Sequence, residues 1–232
     1  TSTLGSWTRQ QIGQTTSFRN IFIVTADFDR DGDQDVATGN MWFKNDGSGL
    51  NWTPSATLST NFIAALAADI DRDGDTDLFG TEQTSPLNCT TTSNCSKTLV
   101  WFQNNGSGVF TRRAISPKGK GDFLQGVTLL KYERKIVLSW HKETSISGVI
   151  DHTALQLLQI PSSPTTASAW TIASVSGLSN SEEVNAYDLD KDGDEDIVAG
   201  TKWAERTTTG WTSRTLHTTT LKTDRSRVGD LN

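Results

Sequence analysis

Fifteen aspartates of this chain are gathered into three copies of one nine-residue word. The copies read Asp27-Phe-Asp-Arg-Asp-Gly-Asp-Gln-Asp35, Asp69-Ile-Asp-Arg-Asp-Gly-Asp-Thr-Asp77 and Asp188-Leu-Asp-Lys-Asp-Gly-Asp-Glu-Asp196. Five carboxylates so close together repel one another unless a cation sits among them. The chemistry that suits this spacing is the binding of a hard divalent ion by oxygen ligands. Positions 1, 3 and 5 of a tight loop (Asp27, Asp29, Asp31; Asp69, Asp71, Asp73; Asp188, Asp190, Asp192) can converge on one point. Glycine at position 6 (Gly32, Gly74, Gly193) permits the sharp reversal that convergence needs. The carbonyl of position 7 (Asp33, Asp75, Asp194) then faces the ion, with its side chain pointing outward. Position 9 (Asp35, Asp77, Asp196) closes the shell as a bidentate ligand. Ca²⁺ takes about six to eight oxygens in an adaptable shell, whereas Mg²⁺ keeps its waters, so three Ca²⁺ sites are expected. An EF-hand opens in the same way, but it requires Glu at position 12 between helices. Here position 12 is Thr38, Gly80 or Ala199 in strand-like surroundings, which excludes it.

The formal net charge of −6 follows from these words, because the remainder of the chain is net basic. Three bound divalent ions would neutralise the whole, so the acidity does not imply basic partners. No basic stripe suits nucleic acid. No apolar run is long enough to span a membrane, and no signal-peptide core stands at Thr1. The histidines His141, His152 and His217 are scattered and lack a recognisable nucleophile or acid beside them. The acidic words are poor catalytic pairs, because a metal would occupy them. The chain is therefore not expected to be an enzyme, a polysaccharide lyase or hydrolase being the lesser alternative.

Two cysteines, Cys89 and Cys95, lie in a polar segment with no histidine or second cysteine pair nearby. A small disulfide-closed loop fits this better than a zinc site or two incidental thiols, and it implies an oxidising compartment. Four Asn-x-Ser/Thr sequons, at Asn51, Asn88, Asn94 and Asn105, point to N-glycosylation and the same extracellular setting.

The elements that position the words are also repeated. Asp27 to Asp69 is 42 residues, and so is Asp188 to Asp230, where Val-Gly-Asp230-Leu-Asn232 resembles the start of another word. An aromatic-Thr pair followed by an apolar residue recurs as Trp7-Thr8…Ile12, Trp52-Thr53…Leu58, Phe110-Thr111…Ile115, Trp170-Thr171…Val175 and Trp211-Thr212…Leu216. Two of these pairs follow Asn-Asp-Gly-Ser-Gly (45–49) and Asn-Asn-Gly-Ser-Gly (104–108), which read as hairpin turns. Each unit then reads as four short strands, with the acidic word between the first two and Trp42, Trp101 or Trp203 on the third. Most of the tryptophans recur at fixed strand positions and are expected in the core. The unit after Asp77 keeps strands (123–130 and 135–140) but joins them by Lys131-Tyr-Glu-Arg-Lys135, which cannot hold Ca²⁺.

A period of about 40 to 50 residues with four strands per unit indicates the blades of an all-β propeller, a sandwich of repeated hairpins being the alternative. The expected division is a single propeller over 1–232. Its units are a partial blade (1–18), 19–60, 61–117 with an insertion at 82–98, 118–178 without a metal loop, 179–220, and a partial blade (221–232). Four whole blades with partial ends suggest a window on a longer propeller, closure with four blades being the runner-up.

The three Asp-x-Asp-x-Asp-Gly-x-x-Asp loops, the stretches Asp35 to Gly39 and Asp196 to Gly200, and the Trp-Phe…Asn-x-Gly-Ser-Gly segments resemble the FG-GAP/VCBS repeat β-propellers. That family includes the integrin α-subunit head and several propeller lectins. The resemblance covers most of 1–232, with 122–175 divergent. It implies structural Ca²⁺ in the hairpin between the first two strands of a blade. Integrin-like relatives bind protein ligands and lectin-like relatives bind sugars, but a scaffold does not transfer a ligand. The expectation is an extracellular, Ca²⁺-stabilised recognition or adhesion module for a glycan or a protein. A self-associating structural block of a glycosylated assembly is the alternative.

Overall fold

The computed structural model describes residues 9–17, 20–82, 96–121, 123–141, 155–178, 181–218, 225 and 227–229. Trp7, Asp230, His152, Asn88, Asn94, Cys89 and Cys95 lie outside the described residues, as does residue range 83–95 of the expected insertion.

The described chain is all-β, built as four antiparallel four-stranded sheets, each a plain meander in chain order. The first sheet holds β1 (Ile23–Ala26), β2 (Asp35–Thr38), β3 (Met41–Asn45) and β4 (Trp52–Pro54). The second holds β5 (Phe62–Ala68), β6 (Asp77–Glu82), β7 (Ser96–Asn104) and β8 (Phe110–Lys120). The third holds β9 (Phe123–Leu130), β10 (Lys135–His141), β11 (Gln156–Gln159) and β12 (Thr171–Ser174). The fourth holds β13 (Val184–Tyr187), β14 (Asp196–Ala199), β15 (Lys202–Thr207) and β16 (Gly210–Thr215). In three sheets the first two strands are joined by an acidic word, and position 9 opens the second strand.

Hydrophobic packing joins consecutive sheets face to face. Phe28, Trp42, Leu78 and Phe102 form a core between the first and second sheets. Trp101, Phe79, Leu138 and Trp140 form the core between the second and third, and Leu130, Val137, Ile197 and Ala204 that between the third and fourth. The second sheet thus buries alternate residues of the same strands on both faces, Leu78 and Phe102 toward the first sheet and Phe79 and Trp101 toward the third, at about 25 cal/mol per Å² of apolar surface. Trp42, Trp101, Trp140 and Trp170 are buried as expected, whereas Trp52, Trp203 and Trp211 are half-buried. The first strands β1, β5, β9 and β13 all line one cavity of about 560 Å³. Among the described residues, no helix is long and apolar enough to cross a membrane.

Every acidic word therefore lies at the same end of its sheet as the turn between the third and fourth strands. The Asn-x-Gly-Ser-Gly turns occupy that place in the first two sheets. This shared end is where the candidate chemistry collects.

Candidate metal centres

Within each acidic word three carboxylates converge, each offering one oxygen, with the three oxygens of a set within 4.8 Å of one another. The sets are Asp27, Asp29 and Asp35; Asp69, Asp71 and Asp77; and Asp188, Asp190 and Asp196. These are positions 1, 3 and 9. Position 5, expected to join them, does not. The carboxylates of Asp31, Asp73 and Asp192 instead turn back to accept the N–H of position 7, at 3.0, 2.9 and 3.1 Å. This is the local Asx hydrogen bond that short acidic side chains make in turns.

Position 1 organises the reversal. Its carboxylate accepts the N–H of the position 6 glycine from Gly32, Gly74 and Gly193 at 2.9, 3.1 and 3.1 Å. Those glycines have φ of +96°, +91° and +102°, values that a Cβ would strain. The residue at position 4 also lies in the left-handed region: Arg30, Arg72 and Lys191 have φ of 59°, 66° and 64°.

Position 9 behaves as a staple. Asp35, Asp77 and Asp196 are fully buried. In each, one oxygen accepts the N–H of position 2 (Phe28, Ile70, Leu189) at 2.9–3.0 Å. The other oxygen accepts a third-strand N–H (Asn45, Asn104, Arg206) at 2.8–2.9 Å. Both oxygens of each position 9 carboxylate are thus already bonded to backbone N–H, and one of them also belongs to the convergent set. Burial pushes all three carboxyls above the usual range, against the pull of these N–H donors; for Asp77 the value reaches about 7. Burial likewise raises Asp71, with the neighbouring Asp73 adding to it.

Position 7 does not point outward either. Asp75 is buried and pairs with Arg30 of the preceding word. A Cβ on Gly106 would come within 2.6 Å of the Asp75 carboxylate, and one on Gly47 within 2.6 Å of Asp33. The glycines of the Asn-x-Gly-Ser-Gly turns thus serve close approach of a carboxylate as well as turn geometry.

These residues fit a hard cation. One oxygen of Asp29 and one of Asp71, both at position 3, are buried without a hydrogen-bond partner, and so is one of Asp194. A buried, unpartnered carboxylate oxygen is costly, and a cation would satisfy it.

Two features escaped sequence reasoning. Position 2 is apolar in every word, and Phe28 and Ile70 are fully buried. Phe28 packs edge-on against Trp42 and Phe110, each at 5.8 Å. Its carbonyl accepts Asn104 Nδ2 at 2.7 Å and Gly108 N at 3.1 Å, both from the second sheet. The apolar letter recurring inside an acidic word was the available signal. The second feature is the third-strand residue two after the tryptophan. Lys44 reaches Asp29 and Asp31, and Gln103 donates to Asp71 at 2.5 Å.

Asn51 and Asn105 are exposed, on the turns before β4 and β8. The Asn51 side-chain amide donates to Asp46 at 2.7 Å, and the Asn105 amide oxygen accepts the N–H of Ser107 and Val109. His217 is exposed beyond β16. Comparison with protein families finds no match for this chain, and none of the curated proteins compared matches it.

Proposed function

We propose that the four sheets are blades of a β-propeller whose three acidic words bind Ca²⁺, and that the protein is an extracellular recognition or adhesion module. The observation that carries the metal reading is the convergence of positions 1, 3 and 9 in all three words, with a position 3 oxygen buried and unpartnered in two of them. The sequential face-to-face packing and the cavity shared by β1, β5, β9 and β13 support the propeller reading. Such an arrangement puts the first strand of every blade on a common axis.

Chemically, Ca²⁺ supplies positive charge where the chain supplies only carboxylates. Asp27, Asp69 and Asp188 hold the reversal, Asp29, Asp71 and Asp190 face the ion, and Asp35, Asp77 and Asp196 tie the loop to the third strand. The ion thereby stiffens the end of each blade that carries it. Recognition then belongs to the surface the stiffened loops present, with a glycan or an extracellular protein as partner. The sequons Asn51 and Asn105 on exposed turns accord with a secreted setting.

Thermal unfolding with and without chelator tests the metal reading. Melting is expected to drop by several degrees in EDTA and to recover with added Ca²⁺; an unchanged curve overturns it. A glycan array run beside a screen of extracellular proteins, both in Ca²⁺, tests the recognition reading. Binding to neither class would overturn it.

A further inference from the structure

The three acidic words are close to identical, yet the strand beside them is not. Lys44, Gln103 and Glu205 occupy one register position. Each immediately precedes the residue (Asn45, Asn104, Arg206) whose N–H bonds the position 9 carboxylate. At the first word this residue is itself a cation: the Lys44 ammonium contacts Asp29 and lies 2.8 Å from Asp31. At the second, the neutral amide of Gln103 donates to Asp71. At the third, Glu205 is held by Arg214 Nε at 2.6 Å.

The fourth strand accounts for the difference between Lys44, which turns its charge onto the word, and Glu205, which turns to its neighbour. Arg113 pairs opposite Trp101 and Arg214 opposite Trp203. Arg113 donates to the side-chain amide oxygen of Gln103, Oε1, at 2.9 and 2.6 Å, as Arg214 does to the Glu205 carboxylate. In the first sheet the residue opposite Trp42 is Ser55, whose N–H bonds the Trp42 carbonyl at 2.9 Å. An ammonium there would gain nothing from an arginine, and a serine offers it no charge. The acidic word does.

We propose that Lys44 is a built-in competitor for the cation at the first word, so that the three sites bind Ca²⁺ in a graded order with the first weakest. This rests on the Ca²⁺ reading above. An ion entering the first word must displace an ammonium already paired with Asp29 of the convergent set and with Asp31. At the second it meets a neutral amide on Asp71, and the Arg30 guanidinium pairs with Asp75, outside that set. At the third it meets a side chain of its own ligands' sign, neutralised by Arg214. A positive charge held against these carboxylates lowers their attraction for a second cation, and even a screened effect of this kind separates otherwise equal sites. The first blade end would then stiffen only at high Ca²⁺, while the second and third are loaded at lower concentration.

The test is calorimetric titration of the chelator-stripped full chain with CaCl₂, using Lys44→Gln, Lys44→Arg and Gln103→Lys. The wild type should show two tighter sites and one weaker. K44Q should tighten the weak site by about ten-fold, and K44R, which keeps the charge, should leave it weak. Q103K should weaken one of the tighter sites by a similar factor. Hydrogen exchange along the titration assigns the sites: residues 27–35 should gain protection at higher Ca²⁺ than 69–77 and 188–196, and K44Q should abolish that lag. Lys44 is partly exposed, so its truncation leaves the core intact, and circular dichroism checks the fold of each variant. Three sites that K44Q and Q103K leave unmoved, or a first loop protected as early as the others, overturn the grading alone. A folded wild type that takes up no Ca²⁺ overturns the metal reading and the grading with it.

Discussion

The second and third sheets place two different solutions at the same point of the same meander. Between β5 and β6 the chain spends nine residues on five carboxylates, and burial raises Asp71 and Asp77. Between β9 and β10 it spends a short turn, in which Glu133 lies between Lys135 of its own sheet and Arg206 of the next. Other parts are conserved in kind. Arg134 takes φ of +53°, like Arg30, Arg72 and Lys191 at position 4 of the words. It donates to the Ile70 carbonyl at 2.6 Å, much as Asn104 donates to the Phe28 carbonyl. The contrast teaches that a sheet without an acidic word still ties itself to position 2 of the word before it. What the word adds is a dense cluster of carboxylates, where the lone Glu133 is balanced by Lys135 and by Arg206 of the next sheet.

Breaking the staple should have the largest effect. Asp77→Ala removes a buried carboxylate that accepts from Ile70 and Asn104, stranding two backbone N–H groups, and should cost on the order of 3–5 kcal/mol in urea unfolding. The same change at Glu133, which is not fully buried, should cost far less. Equal losses at the two positions would erase the distinction between the sheets.

Removing the metal comes next. A ligand held at about a hundred times its dissociation constant stabilises by about 2.7 kcal/mol per site. EDTA should therefore lower stability by several kcal/mol in total. Hydrogen exchange should show where: faster in 27–35, 69–77 and 188–196, unchanged in 131–135. Uniform loosening, with the third-sheet turn included, would mean that the words do not act locally.

How much of this could be read from residue order is itself uneven. The strand meander, the turns at 45–49 and 104–108, and the words' place between first and second strands follow from apolar alternation, Asn-Gly chemistry and repetition. The ligand roles were only partly legible. Spacing shows that five carboxylates can converge. It does not show which of them the backbone captures first, and in the folded chain Asp31, Asp73 and Asp192 are captured by the N–H of position 7 while the position 9 carboxylates are shared with the third strand. Asp75 was misjudged because its partners, Arg30 and Gly106, are 45 and 31 residues away along the chain. Lys44 was invisible for the same reason: only the β-register brings it beside Asp29.

The acidity of the medium offers a subtler separation of the two sheets, and its sign is fixed by burial. A carboxyl whose folded value is raised holds its proton more tightly in the folded chain than in the unfolded one. For Asp77, raised to about 7, the ion-free fold is favoured most below the ordinary carboxyl value near 4. That advantage is lost as pH rises through 7, where the buried group must ionise. Asp35 and Asp196 are shifted in the same direction. Glu133 is shifted the other way: Lys135 and Arg206 outweigh its burial and hold it below the usual range. Its contribution is present above the ordinary value and fades as pH falls through the lowered one. In EDTA, urea unfolding should therefore show falling stability from pH 4 to pH 7, and D77N should flatten that slope. With Ca²⁺ present the charged form is the one stabilised, and the slope should flatten or reverse. E133Q should leave the slope between pH 5 and 7 untouched and cost about 1 kcal/mol or less, as partly exposed ion pairs do. An ion-free protein whose stability instead rises over that interval would show that the carboxylates of the words are already neutralised by neighbouring cations, as Glu133 is.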